Sequence, residues 1–194
     1  RYVLGARQFL AAARGEDKSP ENLELHGVAL DTLNQEIRRY TAGLLKPNMP
    51  YAQADLLASL IEEEDFTATL GQTLHQIARR IHRQPMGQEA QGMVKDVLAR
   101  IESDLEALDK GRYLADGSDH SAPLAAMRKR ALEDPEMSWE DRGAVLALLG
   151  SAERTFFLIG RIAAERKSVS RDIQRFGNAR PIRDDGLTLA PGAA

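Results

Sequence analysis

The sequence predicts an all-α fold of two tandem three-helix bundles, and three observations predict it. Apolar residues recur every three or four positions along most of the chain. The alternation of β-branched and aromatic residues that marks a strand is nearly absent. The helix pattern of the first half returns in the second, which divides the chain into units at 1–86 and 87–176, with a flexible tail at 177–194.

Six long helices follow in order. The first covers about Tyr2 to Arg14, with Tyr2, Ala6, Phe9 and Ala13 on one face, and stops at Gly15. In the segment GEDKSPEN, the run Ser19-Pro20-Glu21 supplies the start signal of the second helix. That helix runs to about Lys46 and stacks His26, Leu30, Leu33, Ile37, Tyr40 and Leu44 as its expected core stripe. Lys46-Pro47-Asn48 ends it. The third spans about Tyr51 to Arg83, which at ~1.5 Å per residue is about 50 Å, a length that requires neighbours to pack against.

After Gln84-Pro85-Met86-Gly87 the plan recurs. A fourth helix near Glu89 to Leu108 carries Val94, Val97, Ile101, Leu105 and Leu108. The loop GRYLADGSDHS leads to a fifth helix that begins near Ser121 and ends at Pro135. Ser138-Trp139-Glu140-Asp141 reads as an N-cap with first-turn acids, opening a sixth helix to about Ser168. From Gly177 onward periodicity is lost.

Composition excludes several classes. The 194 residues are enough to bury a core without covalent staples. No cysteine is present, so disulfides, thiolate zinc sites and cysteine nucleophiles are ruled out, which fits a reducing compartment. With 26 basic and 29 acidic residues the net charge is −3, and no basic stretch tracks a phosphate backbone, so nucleic acid is not an expected partner. No apolar run approaches the ~20 residues of a bilayer span, and the first residues lack a signal peptide's apolar segment. The chain begins at Arg1 without Met, which fits a segment of a longer protein.

A shift of 89 positions lays the third helix on the sixth. Leu57 then meets Leu146, Ala58 meets Ala147, Leu60 meets Leu149, Glu64 meets Glu153 and Gly71 meets Gly160. The glutamates are the informative pair, because both fall near an apolar stripe. One is flanked by Leu57, Leu60, Ile61, Leu70, Leu74 and Ile77, the other by Leu146, Leu149, Phe156 and Phe157. The default expectation is a partly exposed glutamate at the edge of each stripe; a buried carboxylate without a partner costs several kcal/mol, so one turned inward would need an arginine, a helix-end donor or a metal.

The stretch LDTLNQEIRRYTAGLLKPNMPYAQADLLASLIEEEDFTATLGQTLHQIARRI, Leu30 to Ile81, resembles PhoU-like domains, in particular those C-terminal to bacterial sodium/phosphate cotransporters. The duplicated unit extends the likeness across about Tyr2 to Ser168. The resemblance implies a pair of three-helix bundles and a non-catalytic, regulatory or accessory role in sodium-dependent phosphate transport. It places the domain in the cytoplasm, at the inner face of the bacterial plasma membrane within a larger membrane protein. The partner it implies is a transmembrane phosphate transporter, in the same chain or in trans, and it admits a homodimer.

Many members of that family bind metal clusters through acids four apart on the second and third helices of each unit. Asp31, Glu64 and Glu153 match single positions of those motifs, whereas Gly27, Ala68 and Phe157 stand where the companion acids would be. One carboxylate per helix is too few for a multinuclear site, so no metal and no cofactor is expected. The alternatives are a stand-alone PhoU-type metal-binding regulator of phosphate uptake and a helical scaffold that binds another protein.

No catalytic residue is expected. No glutamate is followed three residues later by histidine, as a di-iron bundle requires, and no glycine-rich phosphate loop is present. His75 and His82, seven apart, are expected to share a helix face without ligating. The run Glu62-Glu63-Glu64-Asp65 wraps a helical turn and reads as a solvated face. The basic pairs Arg38-Arg39 and Arg79-Arg80 and the triplet Arg128-Lys129-Arg130 are expected to bridge to acids. Phe9, Phe66, Phe156 and Phe157 are expected to pack inward.

Overall fold

The chain forms six helices in the order the periodicity predicts, and no strand occurs among the described residues. The computed structural model describes residues 2–15, 20–113 and 119–178. The helices are α1 (Tyr2–Ala13), α2 (Pro20–Leu44), α3 (Tyr51–Arg83), α4 (Gln88–Asp109), α5 (Ser121–Glu133) and α6 (Trp139–Asn178).

Helix α6 runs ten residues past its expected end at Ser168, so Gly177 and Asn178 belong to the helix and not to the tail. No breaker interrupts the sequence before Gly177, and Val169 is buried one turn beyond Arg166. The rest of the expected tail, 179–194, lies outside the described residues, as do the side chains of Tyr2 and Ala6 in the first expected stripe.

The two long helices α3 and α6 form the central pair. They run antiparallel: Arg166 near the end of α6 meets Glu63 early in α3 at 2.7 Å, and Gln84 beyond α3 donates to the Glu140 carbonyl at the start of α6. Around this pair, α1 packs on α3 and α4, and α4 packs on α6. Those four helices close a ring, with α2 laid on α3 and α5 laid on α6. In each half of the chain the long third helix carries the two helices before it, and α1 also packs on α2.

One continuous core joins the two halves of the chain. It includes Phe9 and Leu10 from α1, Leu70, Leu74 and Ile77 from α3, and Val97, Ile101 and Leu105 from α4, with Leu124 from α5 and Leu148, Ile159 and Ile162 from α6. The expected α4 stripe is buried at all five positions. Along α6 a stretch is apolar and long enough to span a membrane by composition, contrary to the expectation that no run approached that length. Half of that stretch is buried inside the bundle, so its apolarity also suits a core helix packed on three neighbours.

The expected stripe of α2 is the main departure. Tyr40 is 69% exposed, and Leu33 and Leu44 are also exposed. The face that packs inward instead carries Leu23, Gly27 and Asn34, with Leu30 partly buried. Hydropathy favours the larger side chains, but close approach to α3 favours the small ones. Phe157 and Leu60, expected inside, are exposed as well.

Polar contacts fix the turns. Ser138 caps α6 by accepting the Asp141 N–H at 3.1 Å, as its sequence signal predicts, and the Asp141 carboxylate accepts the Gly87 N–H at 3.1 Å, tying the starts of α4 and α6 together. Arg142 reaches back across the α5–α6 turn and donates to the carbonyls of Ala131 and Asp134, both at 2.9 Å, and of Met137 at 3.4 Å. These satisfy acceptors that the end of α5 leaves open.

Arg142→Ala is expected to lower stability by about 1–3 kcal/mol, because partly buried carbonyls lose charged donors. Arg142→Lys is expected to restore little, since a single ammonium does not reproduce the guanidinium fork. Thermal melting checks both, and a wild-type melting temperature in Arg142→Ala would contradict this role.

Candidate functional site

The residues that sequence reasoning singled out fall on two related faces, one between α2 and α3 and one between α5 and α6. Glu64 and Glu153, matched by the repeat, are each held by an arginine from the second helix of their own unit. Arg38 forks between Glu64 at 3.3 Å and Asp65 at 2.5 Å, and Arg128 reaches Glu153 at 2.8 Å. Of the three kinds of partner that physics allowed, the structure uses arginine in both places.

Burial separates the two sites. The Glu64 side chain is 11% exposed and that of Glu153 is 46% exposed. Burial pushes the Glu64 carboxyl above its ordinary range against the opposing pull of Arg38. Its Oε1 has no hydrogen-bond partner, and neither does the buried Oδ1 of Asn34, one turn before Arg38 on α2. Glu153 lies at the more open edge of its stripe, beside Phe157.

The acidic run does not form one solvated face. Glu63 turns to Arg166 of α6, Glu64 and Asp65 turn to Arg38 of α2, and Glu62 is exposed. Arg166 also donates to the Leu108 carbonyl at 3.3 Å, so this contact joins α3, α4 and α6. Most of the basic groups pair as expected, Arg39 with Glu36, Arg79 with Glu24, Lys129 with Glu133 and Arg130 with Glu89, whereas Arg80 is exposed and makes no ion pair among the described residues.

Further along the α2–α3 face lies a polar cleft of about 170 Å³ that contains Asp31, His75, Gln76 and Arg79. Its geometry explains Gly27. A Cβ at that position would sit 2.6 Å from Cε1 of His75, so the imidazole occupies the space a side chain would need. The ring lies 5.0 Å from that of Phe9 in α1. Burial holds the His75 pKa below its ordinary value, with Glu24 and Asp31 pulling it upward and Arg79 pushing it down. His82 also faces α1 and contacts the Ala12 carbonyl at 3.1 Å, so the two histidines share a packing face.

The equivalent α5–α6 face opens a larger cavity of about 480 Å³, with Tyr113, His120, Phe156 and Phe157 in its wall. His120 meets Asp104 of α4 at 2.6 Å and stacks on Phe156 with centroids 3.7 Å apart. Sequence reasoning missed this pair, because the two residues are joined by no helical spacing and meet across a loop. Ser121 beside it donates its hydroxyl to Asp119 at 2.6 Å, not to the imidazole, so the three do not form a nucleophile–base–acid relay.

Asp31, Glu64 and Glu153 are not brought together, and no group of three or more histidines or acids stands in position for a metal ion among the described residues. Asp31 faces the His75 cleft, while each glutamate faces its arginine. No protein-family profile, curated protein or solved structure matches the chain.

Gly27→Ala is expected to destabilise by about 1–3 kcal/mol despite alanine's better helix propensity, because the His75 ring is held by Phe9 and has to shift. His75→Ala in the same chain is expected to remove most of that penalty, so the double-mutant cycle reads the contact itself. Independent, additive effects would contradict it.

The lowered pKa of His75 gives a pH signature. The folded state disfavours the imidazolium, so its contribution to stability is complete above the ordinary histidine pKa and is lost as pH falls through that value. Between pH 7.5 and 5.5, chemical denaturation is expected to show a smaller loss of stability in His75→Phe than in the wild type. Equal slopes would contradict the assignment.

Proposed function

We propose that this chain is a non-catalytic regulatory or accessory module of a sodium-dependent phosphate transporter, a PhoU-like domain of two tandem three-helix units acting at the cytoplasmic face of the membrane. The observation that carries the reading is the outer face of the α2–α3 hairpin. The stretch whose sequence resembles PhoU-like domains is the same stretch that exposes Leu33, Tyr40, Leu44, Leu45 and Tyr51. Leu33, Tyr40 and Leu44 recur at helical spacing on α2, and exposed apolar side chains on one helix face mark an interaction surface more than a reaction centre.

Two further features support it. The duplicated arginine–glutamate contacts, Arg38 with Glu64 and Arg128 with Glu153, fit an internal repeat of one helical unit. The same contacts engage both glutamates with arginine, which favours an ion-paired over a metal-loaded use of those positions. The partner under this reading is the transmembrane part of the transporter, in the same chain or in trans.

The test is phosphate uptake by cells that carry the complete gene. Tyr40→Glu combined with Leu44→Glu alters side chains already facing solvent, so the purified domain is expected to keep its helical circular dichroism. Uptake or its regulation is expected to change several-fold. Unaltered uptake both in this variant and after removal of the whole helical segment would exclude the reading in favour of a helical scaffold unconnected with phosphate.

A further inference from the structure

A third cavity, of about 600 Å³, lies away from both of those faces, where the end of α1 meets the end of α3 and the first half of α4. Its origin is in the sequence. Helix α1 finishes on Ala12 and Ala13, and the helical conformation stops at Gly15, whose φ of +76° lies in the left-handed region. Small side chains at that end leave volume which α3 and α4 do not fill. The walls opposite are apolar, formed by Ile81, Met86, Val94 and Leu98.

The charged side chains described around it are basic. Among the described lining residues the charged side chains are those of Arg14 and Lys95, with His82 beside them, although acids outnumber bases in the chain as a whole. Arg14 is bridged to Glu102 and His82 to the Ala12 carbonyl. Lys95 is exposed and makes no ion pair among the described residues. An apolar floor of small-molecule dimensions with an uncommitted ammonium in its wall is complementary to a ligand with an apolar body and one negative end.

From this geometry we infer that the α1–α3–α4 cavity binds an amphipathic monoanion, a medium-chain carboxylate or the acyl portion of an anionic lipid. The chain buries its methylenes against Ile81, Met86, Val94 and Leu98, and Lys95 holds the anionic head. This site is independent of the α2–α3 surface and of any link to phosphate.

The probes are decanoate and its neutral counterpart decanol, titrated calorimetrically into the full chain. Decanoate is expected to bind one to one and at least about tenfold more tightly than decanol, the difference a charge-assisted contact supplies. Lys95→Glu is expected to weaken decanoate by about tenfold or more and Lys95→Arg to retain it. Gln91→Trp, a change at an exposed lining residue, is expected to block both probes. Both positions are at the surface, and unchanged melting of each variant shows that folding is intact. Equal affinity for the two probes, binding indifferent to Lys95 and Gln91, or no binding of decanoate would overturn the inference. A parallel arm uses phosphatidylglycerol vesicles. Co-sedimentation that is lost in Lys95→Glu and Gln91→Trp assigns the source to a bilayer lipid, and decanoate binding without co-sedimentation assigns it to a free carboxylate.

Discussion

The antiparallel packing of α3 against α6 is the constraint on which the rest of the molecule depends. Helix α3 has 33 residues against 12 and 25 in α1 and α2, and α6 has 40 against 22 and 13 in α4 and α5, so each outlasts the helices that precede it. Pairing α3 with α6 buries Leu70, Leu74 and Ile77 together with Leu148, Ile159 and Ile162 in one cluster. The polar contacts follow the same axis. Arg166 with Glu63 lies toward one end of the pair, while Gln84 with Glu140 and Gly87 with Asp141 lie at the other. Arg161 adds a stacked contact over Phe66, 5.0 Å from the ring centroid, between the same two helices.

That pairing also decides what stays uncovered. Helix α1 has 12 residues and α2 has 25, so α1 spans less than half the length of its neighbour. Among the described residues α2 packs on α3 and, less extensively, on α1, and its distal Tyr40 and Leu44 are exposed. The exposed stripe that supports an interaction role and the cavity at the end of α1 therefore share one cause, a short first helix beside long second and third ones.

Much of this was legible in the sequence wherever a single helix determined its own burial. The α4 stripe from Val94 to Leu108 is buried as its spacing predicts, and Ser138 caps α6 as its identity predicts. The need of Glu64 for a partner was also legible, because the cost of burying a bare carboxylate is independent of fold. What was not legible depended on two helices at once. The inward face of α2 is chosen by Gly27 making room for His75, a contact invisible to hydropathy, and the identity of Arg38 and Arg128 as partners required knowing the register between helices. The pairing of Asp104 with His120 and the cavity beside Lys95 depend on empty or shared space between elements, which no spacing rule encodes.

The central claim is that α3 and α6 hold both units in one core while the outer half of α2 is held loosely. Native-state hydrogen exchange tests it most directly, since it resolves opening helix by helix. The account predicts that amides in the middle of α3 and α6 share the highest protection and exchange only on global unfolding, with the segment from Ile37 to Leu44 exchanging much sooner. Separate protection levels for α3 and α6, each matched to the helices of its own unit, would contradict it.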